Sequence, residues 1–167
     1  MHFEIIHEFD IPLDAVELAV LSPSLIEKLS PRLGNIEVVE QKEHSMNDRV
    51  FTRVWTYKAN VKIPAFAKSY VTPEMLRWDE HSAYDLKTHS ARWKIVPAVK
   101  PEWHKYFHSS GSYELVPSRE GTKRIIIGEL DLFVPFVRQM AEKLILAEVK
   151  KTFEAEAATL RDLATLV

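Results

Sequence analysis

The sequence predicts an α+β fold in which a curved antiparallel sheet wraps around one long C-terminal helix. Two observations support this prediction. Strand-like segments follow one another from Asn35 to Val134 with short turns between them, which favours antiparallel pairing. From Pro135 to about Leu166 the apolar residues recur at helical spacing, over about 45 Å. One helix is too narrow to fill a wide curve, so a cavity is expected between helix and sheet.

The first part of the chain predicts a strand followed by two short helices. The opening residues MHFEIIHEFD alternate between apolar and polar from Phe3 to Phe9, as is typical of a strand with one buried face. A helical stretch follows Asp10, and a second begins at Ser22-Pro23 and ends at Gly34. Six further strands are predicted at about residues 35–44, 48–63, 66–78, 81–96, 104–117 and 121–134.

Composition excludes several functional classes. The 167 residues are 46% hydrophobic and 28% charged, which is ordinary for one globular domain. A net charge of -2 does not indicate a nucleic-acid partner. The chain has no cysteine, so disulfides and thiolate chemistry are excluded, and a cytoplasmic location is expected. The N-terminus has no signal-peptide pattern, and no apolar run is long enough to span a membrane.

Several short motifs resemble a known family. They are PEMLRW at Pro73–Trp78, WKIVP at Trp93–Pro97, SGSY at Ser110–Tyr113, and GELDLFVP at Gly128–Pro135 followed by Glu142-Lys143. These motifs resemble a bacterial START-like family of unknown function. The element order is similar to the helix-grip fold of the START-like superfamily, also called SRPBCC or Bet v 1-like. The resemblance covers nearly the whole chain and implies that an apolar or amphipathic small molecule is held in the cavity.

Aromatic and apolar residues of the strands and the long helix are the candidate ligand-binding residues. Tyrosine and tryptophan have a polar tip that needs a partner when buried, which a ligand or water can supply. Ordinary core packing is the alternative. The candidates are Trp55, Tyr57, Tyr70, Trp78, Tyr84, Trp93, Phe107, Tyr113, Leu130, Leu132, Val137, Met140, Ala141, Leu144 and Glu148.

The last strand has two different faces. Its even-numbered residues from Ile126 to Val134 are apolar, whereas the odd-numbered face carries Glu129 and Asp131. We expect the even face to point inward and the two carboxylates to be solvated. In the opposite register they would form a pair on the inner wall, suited to acid–base chemistry or a metal.

A helical wheel divides the long helix into two apolar stripes. Residues between Val137 and Ile145 form the first stripe, which is predicted to roof the cavity. Val149, Phe153 and Leu160 form a second, rotated stripe, predicted to pack on the short helices or on a partner such as a second copy. Glu148 lies where the stripes meet. It is either a polar anchor for a ligand or a carboxylate near the mouth, exposed or paired with a basic residue.

Binding is favoured over catalysis. No nucleophilic triad spacing, phosphate-binding loop or zinc motif is present, so no cofactor or metal is predicted. His104 and His108 would lie about 13 Å apart on a strand, too far for one metal. His7 is expected to be a satisfied core histidine rather than a ligand contact. Arg53 and Arg92 are expected on the outer face, with binding of an anionic head group as the alternative.

Three alternatives remain open. An enzyme of the cyclase or aromatase kind, acting on a polyketide-like substrate, would use Tyr57, Tyr70, Tyr113, His7 and Glu148. A partner-binding protein would use the second stripe of the helix as a dimer face. The apolar segment KIPAFAKSYV, from Lys62 to Val71, lies beside lysines and is either a transient membrane contact or an ordinary turn.

Overall fold

The computed structural model describes residues 1–65, 68–69, 71–133 and 138–166. Within these residues the strands are β1 (His2–Phe9), β2 (Ile36–Asn47), β3 (Val50–Ala59), β4 (Arg77–Asp85), β5 (Ser90–Pro97), β6 (Phe107–Pro117) and β7 (Thr122–Leu132). The α-helices are α1 (Leu13–Leu21), α2 (Leu25–Leu29) and α3 (Arg138–Ala164). Short 3-10 helices occur at Ser30–Arg32, Pro73–Leu76 and Pro101–Tyr106. The predicted joint at Pro135 and the candidates Tyr70 and Val137 lie outside the described residues.

All of these strands form one antiparallel sheet in the order β1-β7-β6-β5-β4-β3-β2. The first strand therefore pairs with the last, with His2 opposite Glu129 and Phe9 opposite Thr122. Two register shifts in β2 bend the opposite edge of the sheet. The predicted α+β class, with two short helices after β1 and a long C-terminal helix, is confirmed.

Strand register identifies the concave face. Directly opposed residues of antiparallel strands share a face, and Ile126 of β7 stands opposite Tyr113 of β6 and Ile5 of β1. Ile126 and Leu130 are completely buried, whereas Glu129 lies on the other face and is partly exposed. The predicted inward orientation of the even-numbered face of β7 is therefore confirmed.

Two strand boundaries were predicted wrongly. The sequence predicts strands at 66–78 and 81–96, with a break at His81-Ser82, but both residues lie inside β4. The true turn follows Asp85, whose Oδ1 accepts a hydrogen bond of 2.8 Å from the Lys87 amide. His89 completes it with a left-handed φ of 53°. As a result, Trp78 and Tyr84 share β4, and Trp93 lies on β5.

The second apolar stripe of α3 is the face that packs on the rest of the chain. Phe153 and Leu160 of the second stripe pack in the core of this chain, with the Phe153 ring 6.0 Å from that of Trp93. Of the two predicted alternatives for this stripe, packing on other elements of the chain is therefore the one observed. Because α3 runs antiparallel to β7, its first half lies along the end of the sheet at which β7 finishes.

Two residues of the first stripe do not roof the sheet. Met140 is 56% exposed and Leu144 is 65% exposed, on the side of α3 turned away from the core. The buried side instead carries Glu142 and Glu156. The wheel considered apolar residues alone, whereas these two glutamates are buried because each has an arginine partner.

Candidate ligand-binding site

The concave face differs between its two ends. We call the end where β3, β5 and β7 finish the upper end. At the lower end the inward side chains are fully buried beneath α1, α2 and the second half of α3. At the upper end the inward apolar side chains are only half-buried, so the first half of α3 does not seal the sheet there. We call the surface formed by these half-buried side chains the cleft; its residues are Trp78, Ile95, Phe107 and Leu132 of the sheet and Val149 and Phe153 of α3.

A buried ion pair lies on one wall of the cleft. The Arg53 guanidinium donates a 3.1 Å hydrogen bond to Oε1 of Glu80 and lies 3.8 Å from the centre of the Trp55 ring. The Glu80 side chain is 20% exposed and stands opposite Ile95 of the cleft. Burial raises the pKa of Glu80, and the charge of Arg53 only partly opposes this.

A second ion pair forms the floor of this region. Arg124 is completely buried, and its Nη1 donates a 2.6 Å hydrogen bond to Oε1 of Glu156. Its Nη2 lies 3.1 Å from Nδ1 of His7. Burial opposes ionisation of Glu156, but Arg124 and Arg53 outweigh it and hold the pKa of this carboxyl below its usual value. Glu156 is therefore a buried carboxylate in the folded protein.

Two buried tyrosines lie on the same concave face as the ion pairs. The Tyr57 ring stacks on Trp78 with centroids 5.7 Å apart, and the Arg124 guanidinium lies 5.4 Å from the Tyr113 ring. Burial raises the pKa of both hydroxyls, so both remain protonated donors. Among the described residues, neither hydroxyl has a hydrogen-bond partner. The site therefore combines apolar walls with a few polar groups, as ligand sites commonly do.

A protein family of unknown function, DUF2505, matches residues 4–163. The chain belongs to this family. The predicted resemblance to a START-like family of unknown function is therefore confirmed. No curated protein matches the sequence.

Solved structures share the fold of this DUF2505 protein across almost the whole chain. TTHA0849 from Thermus thermophilus is 15% identical with a TM-score of 0.65, covering 99% of this chain and 98% of its own. The ZhuI aromatase/cyclase from Streptomyces sp. R1128 is 12% identical with a TM-score of 0.64, covering 99% and 93%. Ara h 8.0201 is 15% identical with a TM-score of 0.53, covering 96% of this chain and 97% of its own. These likenesses show the helix-grip fold of the Bet v 1-like superfamily.

Most of the predicted candidates on the DUF2505 sheet face inward. Strand register places nine of them on the concave side: Trp55, Tyr57, Trp78, Tyr84, Trp93, Phe107, Tyr113, Leu130 and Leu132. Trp78, Phe107 and Leu132 border the cleft. Tyr84 lies deeper, where its hydroxyl donates a 2.6 Å hydrogen bond to Glu17 of α1. A role of these residues in ligand binding remains a prediction.

The candidates on α3 lie elsewhere. Met140 and Leu144 line an open surface depression of about 750 Å³ beside the first turns of α3, together with Arg138, Gln139 and Lys143. Ala141 is half-buried. Glu148 accepts hydrogen bonds from Asn35 Nδ2 at 3.3 Å and Lys151 Nζ at 3.2 Å, as the paired-carboxylate alternative requires. These contacts do not support Glu148 as an anchor within an apolar pocket.

His104 and His108, which the sequence places too far apart for one metal, lie on different elements. His104 belongs to a 3-10 helix, where its Nε2 lies 3.0 Å from the Val99 carbonyl oxygen. His108 belongs to β6, where its Nε2 lies 3.2 Å from Oγ of Ser110. Across the described ranges, no three histidine, aspartate or glutamate side chains form a group that could hold a metal ion. No helix within those ranges is long and apolar enough to span a bilayer.

Sequence reasoning missed the buried charges of the DUF2505 interior. The prediction placed Arg53 on the outer face, but it shares β3 parity with Trp55 and Tyr57 and therefore points inward. Arg124 likewise shares the even-numbered face of β7 with Ile126. The alternation along each strand could have indicated that both arginines point inward. Their charge, however, argued for a position on the outer face. Their partners on β4 and α3 are not visible in the local pattern.

His7 is a satisfied core histidine, as expected. It is 4% exposed, and its Nε2 lies 2.9 Å from Oε1 of Glu154. Burial, followed by the charge of Arg124, lowers the pKa of His7 below the ordinary value of 6.5. Hydrogen bonding to Glu154 opposes this shift without reversing it. His7 therefore connects the buried Arg124–Glu156 pair to an exposed carboxylate.

The low pKa of His7 predicts a loss of stability on mild acidification. As pH falls through 6.5, His7 of the unfolded chain binds a proton, whereas His7 of the folded chain remains neutral until a lower pH. The free energy of unfolding should therefore decrease below pH 6.5, until the lowered folded pKa is reached. Urea unfolding between about pH 7.5 and 5.5 should show a smaller decrease for His7→Gln than for the wild type. The exposed His2→Gln is the control, and equal decreases in all three proteins would contradict the prediction.

Proposed function

We propose that this protein binds an amphipathic, lipid-like small molecule in the cleft between the upper concave face and α3. The observation that carries the proposal is the ring of half-buried apolar side chains around an Arg53–Glu80 pair whose glutamate is partly exposed. An apolar ligand body gains about 25 cal/mol for each Å² removed from water, before the costs of association. The aromatic and aliphatic walls of the cleft supply such a surface.

The polar groups favour an amphipathic ligand over a purely apolar one. A hydrocarbon filling the cleft would remove water from the Glu80 carboxylate and the Tyr57 hydroxyl without replacing its hydrogen bonds. A ligand with a polar end can bond to these groups while its apolar part lies against Trp78 and Phe107. The ligand would then be oriented with its polar end toward Arg53.

Replacing Ile95 by tryptophan should block the cleft. Ile95 stands opposite Glu80 on the concave face and is half-buried, so a larger ring would occupy the proposed ligand space. We expect the affinity for the neutral probe N-phenyl-1-naphthylamine to fall about tenfold or more, equivalent to about 1.4 kcal/mol. A fluorescence titration measures this affinity, and thermal unfolding checks that the variant is folded.

Ile127→Trp provides the matched control. Ile127 lies on the outer face of β7 and is 52% exposed, so the same substitution there should leave probe binding unchanged. Equal probe affinities for wild type and Ile95→Trp would contradict a ligand site in the cleft. A separate experiment, native mass measurement of protein purified from its own host, would identify any ligand that co-purifies.

A cyclase-type enzyme is the second candidate, and it is favoured by one observation. The buried Glu80 carboxyl has a raised pKa and lies near the protonated Tyr57 hydroxyl, which is suited to proton transfer. Incubation of the co-purified molecule with fresh protein separates the alternatives, because an enzyme changes its mass and a carrier does not. If turnover occurs, Glu80→Gln should abolish it while ligand binding persists.

A further inference from the structure

Large apolar side chains are exposed together at the upper end of the sheet. Met75 precedes β4, Trp103 and Tyr106 precede β6, and Phe133 follows β7. Trp103 is 48% exposed and Phe133 is 47% exposed. We call these four residues the upper rim. Clustered apolar exposure of this kind marks an interaction surface more often than scattered single residues do.

Contacts connect the chain segments that carry the rim. The rings of Trp103 and Tyr106 are 5.5 Å apart, and the Phe133 amide donates a 2.8 Å hydrogen bond to the Tyr106 carbonyl oxygen. The Ala98 amide donates a 2.9 Å bond to the Arg77 carbonyl oxygen, which ties the segment after β5 to the start of β4 beside Met75. The rim therefore follows three neighbouring connections at one end of the fold.

The surroundings of the rim are basic. The Lys105 ammonium lies 5.2 Å from the centre of the Tyr106 ring, and the Arg138 guanidinium lies 5.1 Å from that of Phe133. The basic residues in the connecting segments at this end are Lys62, Lys68, Lys100 and Lys105, and the first turns of α3 add Arg138 and Lys143. The acidic residues in these segments are Glu74 and Glu102. Two further carboxylates face Arg138: Glu142 of α3 is buried and bonded to it, and Asp131 of β7 lies 3.8 Å away. The upper end is thus basic in a chain whose net charge is -2.

We propose that the upper rim docks onto a bilayer that contains anionic phospholipids. Tryptophan and tyrosine favour the headgroup region, where an apolar ring and a polar tip are both accommodated. Lysines beside them attract anionic lipid while their apolar stems lie on the aromatic surface. Lys62 and Val71, the two ends of the segment predicted as a membrane contact, lie in the connection between β3 and β4.

The rim also borders the cleft. Tyr106 is followed directly by Phe107, and Phe133 directly follows Leu132, and both Phe107 and Leu132 line the cleft. A docked protein would therefore hold the mouth of the cleft against the lipid surface. This inference goes beyond the proposed ligand binding and does not depend on it, because the rim has its own exposed residues.

Vesicle co-sedimentation of the full chain tests the inference. Phosphatidylcholine vesicles with phosphatidylglycerol should bind the wild type, and phosphatidylcholine alone should bind it much less. Added salt should weaken binding, because it screens the lysine contribution. The double variant Trp103→Ala/Phe133→Ala should bind the phosphatidylglycerol vesicles about tenfold more weakly. Lys100→Ala/Lys105→Ala should lose most of the preference for phosphatidylglycerol.

Ile6→Ala/Ile127→Ala is the matched control. These isoleucines are 49% and 52% exposed on the outer face of the sheet, away from the rim, so the double variant should bind vesicles like the wild type. The inference is overturned if the wild type binds no phosphatidylglycerol vesicles, or if the control variant loses as much binding as the rim variant. Docking of a protein at the rim without vesicle binding would also overturn it.

The two proposals can fail separately. The rim variant should still bind N-phenyl-1-naphthylamine with wild-type affinity, which shows that its fold and cleft are intact. Ile95→Trp should still sediment with phosphatidylglycerol vesicles. Loss of probe binding in Ile95→Trp with vesicle binding retained therefore supports both proposals. Vesicle binding with no probe binding by the wild type removes the ligand proposal alone.

Discussion

Replacing Arg124 by methionine is expected to lower the free energy of unfolding by about 3–5 kcal/mol. Arg124 is completely buried and bonds to the Glu156 carboxylate at 2.6 Å. Without the arginine, Glu156 would be a buried charge that has lost its main partner. Such a charge must be protonated or solvated, and either requirement destabilises the fold. Urea denaturation at neutral pH measures the loss.

The double variant Arg124→Met/Glu156→Met separates charge from packing. Replacing both partners by apolar side chains of similar size removes the stranded charge, so most of the lost stability should return. Arg49→Met is the surface control, because the Arg49–Asp85 pair at 3.3 Å is largely exposed and should contribute less than about 1 kcal/mol. A double variant no more stable than Arg124→Met would contradict this explanation.

Replacing Gly111 by alanine is expected to cost about 3 kcal/mol. Gly111 of β6 stands opposite Gly128 of β7 on the concave face, and the Trp93 ring lies over it. A Cβ at Gly111 would lie 2.4 Å from the Ile127 carbonyl oxygen and 2.5 Å from Cζ2 of Trp93. The carbonyl belongs to the paired strand, so it can retreat only by disturbing the β6–β7 ladder. Thermal unfolding measures the loss.

Gly128→Ala is the informative comparison. A Cβ there would lie 2.3 Å from Cζ of Phe3, and its nearest neighbours are all atoms of that ring. Replacing the Phe3 ring by the smaller leucine side chain in Phe3→Leu should therefore recover part of the stability lost in Gly128→Ala. The corresponding Trp93→Leu should not rescue Gly111→Ala, because the backbone oxygen remains. Equal rescue at both glycines would show that the backbone contact is unimportant.

The sequence predicted the orientation of the strands better than the surroundings of their charges. Alternation along a strand is a property of the extended backbone, so the apolar even face of β7 correctly placed Ile126 and Leu130 inside. The structure also explains the glycines of the SGSY and GELDLFVP motifs. Gly111 and Gly128 are cross-strand partners, and the space left by their missing side chains holds the rings of Trp93 and Phe3.

Ion pairing across distant elements explains what the sequence could not predict. A helical wheel assigns glutamate to the solvent side, but Glu156 is buried because Arg124 of β7 lies beneath it. That partnership is a tertiary contact that no periodicity encodes. The candidate site is therefore the part of the fold that the sequence predicts least well. A local pattern places charged residues outside, and the polar groups of the site are Arg53, Glu80, Arg124 and Glu156.

The pairing of β1 with β7 has a consequence for the time course of folding. β1 is an edge strand whose neighbour in the sheet is β7, and His7 and Arg124 are 117 residues apart in the chain. During synthesis, β1 is made before β7, and its backbone cannot be paired until β7 has emerged. The entropy cost of closing so long a loop comes before the contacts that stabilise it. Folding is therefore slow, on the order of milliseconds to seconds. Until then the row of apolar residues on β1 is exposed to aggregation, and this interval is when the chain most needs chaperones.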